Sequence, residues 1–167
     1  MSDADARAEL LELLRENARY TTMDLARMTG LTESEVDEVL GDLEESEAIR
    51  GYQAVVDWDR AEAFAGERVR AMVEVNVTLD RETGYDDVAR RLVAYDEVRA
   101  LRLVSGDFDF AVDVEAPSMG EVSRFVAEQV APVPEVSQTV THYVMDHYKE
   151  GGITFDDDED DRLSVTP

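Results

Sequence analysis

A chain of 167 residues can hold one ordinary domain or two small ones, and 44% hydrophobic content is enough for a core. Forty acidic residues against 16 basic give a net charge of −24, and the absence of cysteine excludes disulfides, thiolate metal sites and cysteine nucleophiles. No apolar run approaches the length of a membrane span and no signal pattern opens the chain, so a cytoplasmic protein without a membrane partner is expected. The acid excess runs along the whole sequence, and Lys149 is the only lysine. Such a surface suits a cytoplasm of very high salt, where self-repulsion is screened within a few ångströms.

Residues 3–17 have the spacing of a helix, with Ala6, Leu10, Leu13 and Leu14 on one side. Thr21 with Asp24 caps a short second helix running to Met28, whose buried side would be Leu25, Ala26 and Met28. Gly30 sits where a helix ends in a left-handed residue. Thr32 and Glu35 form another capping box, and Val36, Val39, Leu40 and Leu43 give the third helix its apolar stripe. Two short helices across a glycine turn, with one before them, make a helix-turn-helix, although a small bundle without nucleic-acid function has the same spacing.

Gly51 permits a turn, Tyr52 to Val56 reads as a strand, and Asp57 to Glu67 is a polar, alanine-rich boundary. Val69, Ala71, Val73, Val75 and Val77 alternate with polar neighbours, a strand with one wet face. Tyr85, Val88, Ala89, Leu92 and Val93 have helical spacing. Leu101, Leu103 and Val104 mark a strand before the turn Ser105-Gly106-Asp107. Phe108, Phe110, Val112 and Val114 then alternate with Asp109, Ala111, Asp113 and Glu115 until Pro117 ends the strand. Ser118 with Glu121 starts a helix carrying Met119, Val122, Phe125, Val126 and Val130, and Val136 to Tyr148 reads as the last strand. The order is β-α-β-β-α-β, the ferredoxin-like arrangement of one antiparallel sheet under two helices. Asp156 to Asp161 is a solid acidic run, expected to be disordered.

Leu103-Val-Ser-Gly-Asp-Phe-Asp-Phe110, followed by a strand and Pro117-Ser-Met119, resembles the effector-binding domain of the Lrp/AsnC (leucine-responsive) transcriptional regulators. Thr139-Val-Thr141 and Val144-Met145 are similar to that family's last strand, and the likeness covers residues 3 to about 150. It implies an α+β chain: a helix-turn-helix (winged-helix-like) DNA-binding domain over 1–50, a linker strand and hinge over 51–67, and a ferredoxin-like effector-binding and oligomerisation domain over 68–150. An acidic disordered tail would fill 151–167. The resemblance further implies that the linker strand pairs with its copy in a dimer and that a partner subunit covers the bare sheet face. The expected partners are operator DNA, an amino acid or related effector, homodimers and larger even-numbered oligomers, and hetero-oligomers with paralogues. With the composition, it points to a halophilic archaeal member.

The DNA-facing candidates are Arg19, Arg27, Thr32, Ser34, Glu35, Asp37, Glu38 and Arg50. Residues 33–47 hold Glu33, Glu35, Asp37, Glu38, Asp42, Glu44, Glu45 and Glu47 without a single cation, where the family normally carries basic residues. Phosphate affinity comes mostly from cations that release counterions, so this surface repels DNA at ordinary salt. Glu or Asp accepts from cytosine N4, which specifies without attracting; a solvated acidic face adapted to salt fits the same residues. The effector candidates are Ser105, Gly106, Asp107, Phe108, Asp109, Thr139 and Thr141. Asp107 or Asp109 would take an ammonium, while N–H groups around Gly106 and the two threonine hydroxyls would take a carboxylate. By resemblance, the turn and the Thr-x-Thr strand meet where effector domains touch in the oligomer. The plainer reading is a self-closing turn and two β-forming threonines.

No Ser-His-Asp order, phosphate loop or metal-spaced cluster occurs, and no metal or cofactor is expected. His142 stands where an aromatic residue is common in the family, and with His147 five positions away the two point to opposite faces of a strand. Two other functions compete with the regulator: a sensor subunit that has lost autonomous DNA binding, and an enzyme, since some haem-pathway decarboxylases share the two-domain plan.

Overall fold

The computed structural model describes residues 3–81 and 83–155, so the acidic run from Asp156 lies outside the described residues. The chain divides into two compact units, one containing the residues up to Val55 together with those from Tyr148, the other spanning Val56–His147.

In the first unit, helices α1 (Asp3–Glu16), α2 (Thr22–Thr29) and α3 (Glu33–Glu45) enclose Leu10, Leu25, Val36, Val39 and Leu43. Two of their starts are fixed by reciprocal caps. Thr21 Oγ1 accepts from Asp24 N–H at 3.1 Å while the Asp24 carboxylate accepts from Thr21 N–H at 3.2 Å. Thr32 and Glu35 repeat the exchange at 3.3 and 2.8 Å. These bonds satisfy helix N–H groups that have no partner inside the helix. Gly30 ends α2 at φ +75°, and its N–H donates to Ala26 O, leaving a three-residue turn before α3. Met28 is 42% exposed, so the buried side of α2 is Leu25 and Ala26 rather than the expected trio.

Residues 51–57 join no ladder among the described residues, so the expected linker strand has no partner within its own chain. The tail needs a correction from Gly151 to Thr154. Lys149–Glu150 (β5) and Ile153–Thr154 (β6) pair antiparallel around Gly151-Gly152, and Phe155 N–H closes the hairpin on Tyr148 O at 3.1 Å. Acidity suggested disorder there, but the acidic run starts only at Asp156, and a Gly-Gly pair between strand-forming residues is a hairpin signal.

The second unit runs α4 (Trp58–Ala65), β1 (Val69–Val77), α5 (Tyr85–Leu92), β2 (Val98–Leu103), β3 (Phe110–Ala116), α6 (Met119–Phe125) with a π-helical turn (Val126–Val130), and β4 (Val136–Tyr143). After α4 this is the expected β-α-β-β-α-β, with antiparallel strands in the order β2-β3-β1-β4. Helix α4 lies in the segment read as a polar boundary: Asp57 Oδ1 accepts from Arg60 N–H at 3.0 Å and caps it. The last strand stops at Tyr143, five residues short of its expected end; beyond it Val144 N–H makes one more bond, to Arg70 O at 2.9 Å near the start of β1. Val73 stands between Val112 and Thr141, and Val75 between Phe110 and Thr139. This face meets Val88 and Leu92 of α5 and Val122 and Phe125 of α6 in one buried cluster. The opposite face is charged, with Glu74 beside His142 (3.0 Å) and Asp113 beside Arg102 (2.9 Å).

Candidate functional site

The effector candidates gather at one end of the sheet, where β2 turns into β3. Gly106 has φ +145°, a conformation that side chains with a Cβ rarely adopt. Ser105, Gly106 and Asp107 are exposed, while Phe108 and Asp109 are half-buried. Val104 N–H donates to Asp109 O at 2.9 Å, and Asp109 N–H donates to Val75 O at 3.0 Å, so the turn leans on β1. Asn76 Nδ2 adds a bond to Asp107 O at 2.8 Å.

The two aspartates separate here. Asp109 Oδ2 accepts from Val77 N–H at 2.8 Å and Oδ1 accepts from the Tyr85 hydroxyl at 3.1 Å. Tyr85 in turn sits edge-on to Phe110, with ring centroids 5.9 Å apart. The Asp109 hydrogen bond and negative charge raise the Tyr85 phenol above its ordinary pKa. Asp107 is exposed, and its carboxylate has no partner among the described residues. Between the two, Asp107 is therefore the carboxylate available to an incoming ammonium.

Thr139 and Thr141 are half-buried on β4, opposite Val75 and Val73. The turn and Thr139 flank β1 on its two sides, about two strand spacings or ~10 Å apart, so one chain does not bring the expected halves of the site together. Tyr85 and Asn76 were absent from the sequence candidates. The alternation of Asn76 with valines marked it only as a wet-face residue, and Tyr85 looked like the start of an apolar helix stripe.

In the first unit, Glu35 is committed to the α3 cap; its hydrogen bonds from Thr32 N–H and then Thr32 Oγ1 hold its carboxyl below the usual range. Asp37 Oδ1 accepts from Thr22 Oγ1 at 3.0 Å and ties α3 to α2. Ser34 and Glu38 are exposed. Arg27 pairs with Asp24 at 3.3 Å and Arg50 with Glu47 at 2.9 Å, both on the surface. The Arg19 guanidinium has no partner among the described residues. Of the eight nucleic-acid candidates, three therefore have intramolecular duties, two are ion-paired, and Arg19 is the free cation.

His142 pairs with Glu74, and His147 Nε2 lies 3.4 Å from Arg70 Nη1, so the two histidines have separate neighbours. Among the described residues no group of His, Asp and Glu is arranged to hold a metal ion, and no helix is long and apolar enough to cross a membrane.

Residues 70–154 match the family described as the Lrp/AsnC ligand binding domain. Over all of both chains, the sequence is 35% identical to an uncharacterized HTH-type transcriptional regulator, YugG, of Bacillus subtilis. The chain belongs to the Lrp/AsnC family. Two solved structures of the same fold are the leucine response regulatory protein of Mycobacterium tuberculosis and a transcriptional regulator of Neisseria meningitidis in complex with L-Met. The first has a TM-score of 0.72 at 22% identity, covering 88% of this chain and 95% of that one. The second has a TM-score of 0.65 at 21% identity, covering 87% and 91%. The matched ligand-binding segment contains the Gly-Asp turn, Asn76, Tyr85, Thr139 and Thr141, so every effector candidate lies in the part that carries the Lrp/AsnC likeness.

Proposed function

We propose that this Lrp/AsnC protein is a DNA-binding transcriptional regulator that senses an amino acid at the Ser105–Asp109 turn. The observation that carries the reading is one chain holding both parts: a capped α2–Gly30–α3 pair of helix-turn-helix form and a segment matching the Lrp/AsnC ligand binding domain. The relatives it matches are named as regulators, not enzymes. The L-Met complex of the Neisseria protein supports an amino acid as effector class.

In this reading Asp107 takes the ammonium and the N–H groups around Gly106 face the carboxylate. Thr139 and Thr141 of a neighbouring copy complete the site, since within one chain they stand across β1. The bare charged sheet face and the unpaired residues 51–57 are covered in a dimer that builds larger even-numbered assemblies. Arg19, Arg27 and Arg50 approach phosphates, and Thr32, Ser34, Glu35, Asp37 and Glu38 lie at the end of α3 that enters the groove. The protein works in the cytoplasm at high salt, as its charge of −24 suits, and a halophilic archaeal source fits that charge.

A second reading is favoured by α3 itself, whose last turn holds no basic residue and whose first turn is acidic. There the chain senses the effector and assembles with a more basic paralogue that supplies the DNA affinity. Genome-wide mapping of bound DNA at native salt separates the two. Enriched fragments that the purified protein alone retains, with affinity shifted by an amino acid, support the first. Binding only in the presence of the paralogue supports the second, and no enriched DNA under either condition sinks both.

A further inference from the structure

The ladder between β1 and β3 ends at Val75 opposite Phe110. Two residues further along β1, Val77 N–H is taken by the Asp109 side chain instead of a strand carbonyl. The other Asp109 oxygen is bonded to the hydroxyl of Tyr85, the first residue of α5. One carboxylate thus joins the effector turn, the end of β1 and the start of α5. A ligand ammonium drawn to Asp109 would share its oxygens with these donors, whereas Asp107 offers a carboxylate with no partner among the described residues.

We propose that Asp109 and Tyr85 are positioning residues for effector binding: gripped by Val77 N–H and the Tyr85 hydroxyl, the Asp109 carboxylate fixes the turn so that Asp107 faces the ligand. The inference rests on the effector reading above. Asn76 supplies the second hold, through Asp107 O, and is itself tied to β4 because Ser137 Oγ donates to Asn76 O at 3.1 Å. Both holds sit beside the irregular register between Asn76 and Val77, where β1 departs from even pairing with β4.

The test compares wild type with Tyr85→Phe, which removes one hydroxyl, and Asp109→Asn, which keeps the size but faces a donor with a donor. NMR hydrogen exchange is read at the amides of Val77, Val104 and Asp109, with Val73 and Val112 as references in the core. Calorimetry with L-methionine and L-leucine runs alongside. Loss of a single hydrogen bond should speed local exchange about two- to tenfold in Tyr85→Phe, with a larger effect in Asp109→Asn, while the references and the melting temperature hold. Amino-acid binding should weaken in both variants although Asp107 is untouched. In Asp109→Asn one of the six tyrosines should also titrate at lower pH, a spectroscopic change that packing alone would not produce. Wild-type exchange in both variants overturns the proposal. So does loosened exchange with unchanged affinity for an amino acid the wild type binds. If the wild type binds neither amino acid, the effector reading falls, and the exchange data alone decide whether Tyr85 and Asp109 hold the turn.

Discussion

Replacing Glu115 by Gln asks how much the charged end of β3 contributes to the second unit. Glu115 is 9% exposed, with Oε1 accepting from Arg68 at 2.9 Å and Oε2 lying 3.4 Å from Arg70 Nε. Arg68 also lies over the Trp58 ring, 5.1 Å from its centroid, so the pair anchors α4 to the sheet. Gln keeps the volume but removes the charge and turns an amide donor toward one arginine. A hydrogen bond to a charged group contributes ~1.5–3 kcal/mol, while breaking a wholly buried pair costs ~3–5 kcal/mol. The Arg68 side chain is 41% exposed and can turn to water, which favours the lower range. About 2 kcal/mol is the expected cost, by the charged-bond scale. For a unit of this size each kcal/mol moves the midpoint by ~4–8 °C, so calorimetry should show a fall of ~8–16 °C. Because the carboxylate is buried, the fall should persist in molar potassium chloride, where surface pairs are screened. A fall under ~3 °C, or one that disappears in high salt, refutes the reasoning.

Asp107→Ala should weaken amino-acid binding about tenfold or more, the equivalent of one charge-assisted bond, while leaving the melting temperature unchanged; equal binding by mutant and wild type would place the ammonium elsewhere. Thermal melts should rise strongly from ~0.1 M salt, where the screening length is ~10 Å, toward molar concentrations. A flat series would give the acidic surface another purpose. Gly30→Ala should cost ~1–2 kcal/mol through backbone strain alone, because φ is +75° and no atom lies within 4 Å of the added Cβ; urea titration of the first unit reads this directly. Thr32→Ala should lower stability near neutral pH, and the deficit should shrink in acid. Hydrogen bonds from Thr32 depress the Glu35 carboxyl, so its contribution is present above the ordinary carboxylate range near ~4 and lost as pH falls through the depressed value. Melts of the two proteins across pH 2–7, about the carboxylate range, would contradict this if the gap stayed constant.

Local chemistry made most of the elements legible before any coordinates. Thr21 with Asp24 and Thr32 with Glu35 fix helix starts by bonds between residues three apart, which a sequence displays openly. The alternation in β1 and β3 likewise reports a buried face directly. What stayed hidden depends on partners distant in sequence. β4 ends at Tyr143, where the start of β1 is reached and Val144 N–H makes one last bond to Arg70 O, although Val144 and Met145 look equally strand-like. Asp107 and Asp109 are alike as letters, and only the arrival of Val77, 32 residues away, and Tyr85, 24 away, divides them into a free carboxylate and a committed one. Helix α4 was missed for a different reason: its single buried residue, Ala61, leaves almost no apolar pattern to read.

The acidic α3 has a consequence for how association responds to ions. A basic DNA-binding helix releases the cations condensed on the DNA when it docks, so its grip loosens as salt is added. On α3 the acidic side chains from Glu33 to Glu45 gather cations, and a polyanion approaching that face must bring more of them or share those already there. Ion release becomes ion uptake. Docking of DNA through this helix would therefore tighten as potassium chloride rises, reversing the sign of the usual logarithmic salt slope.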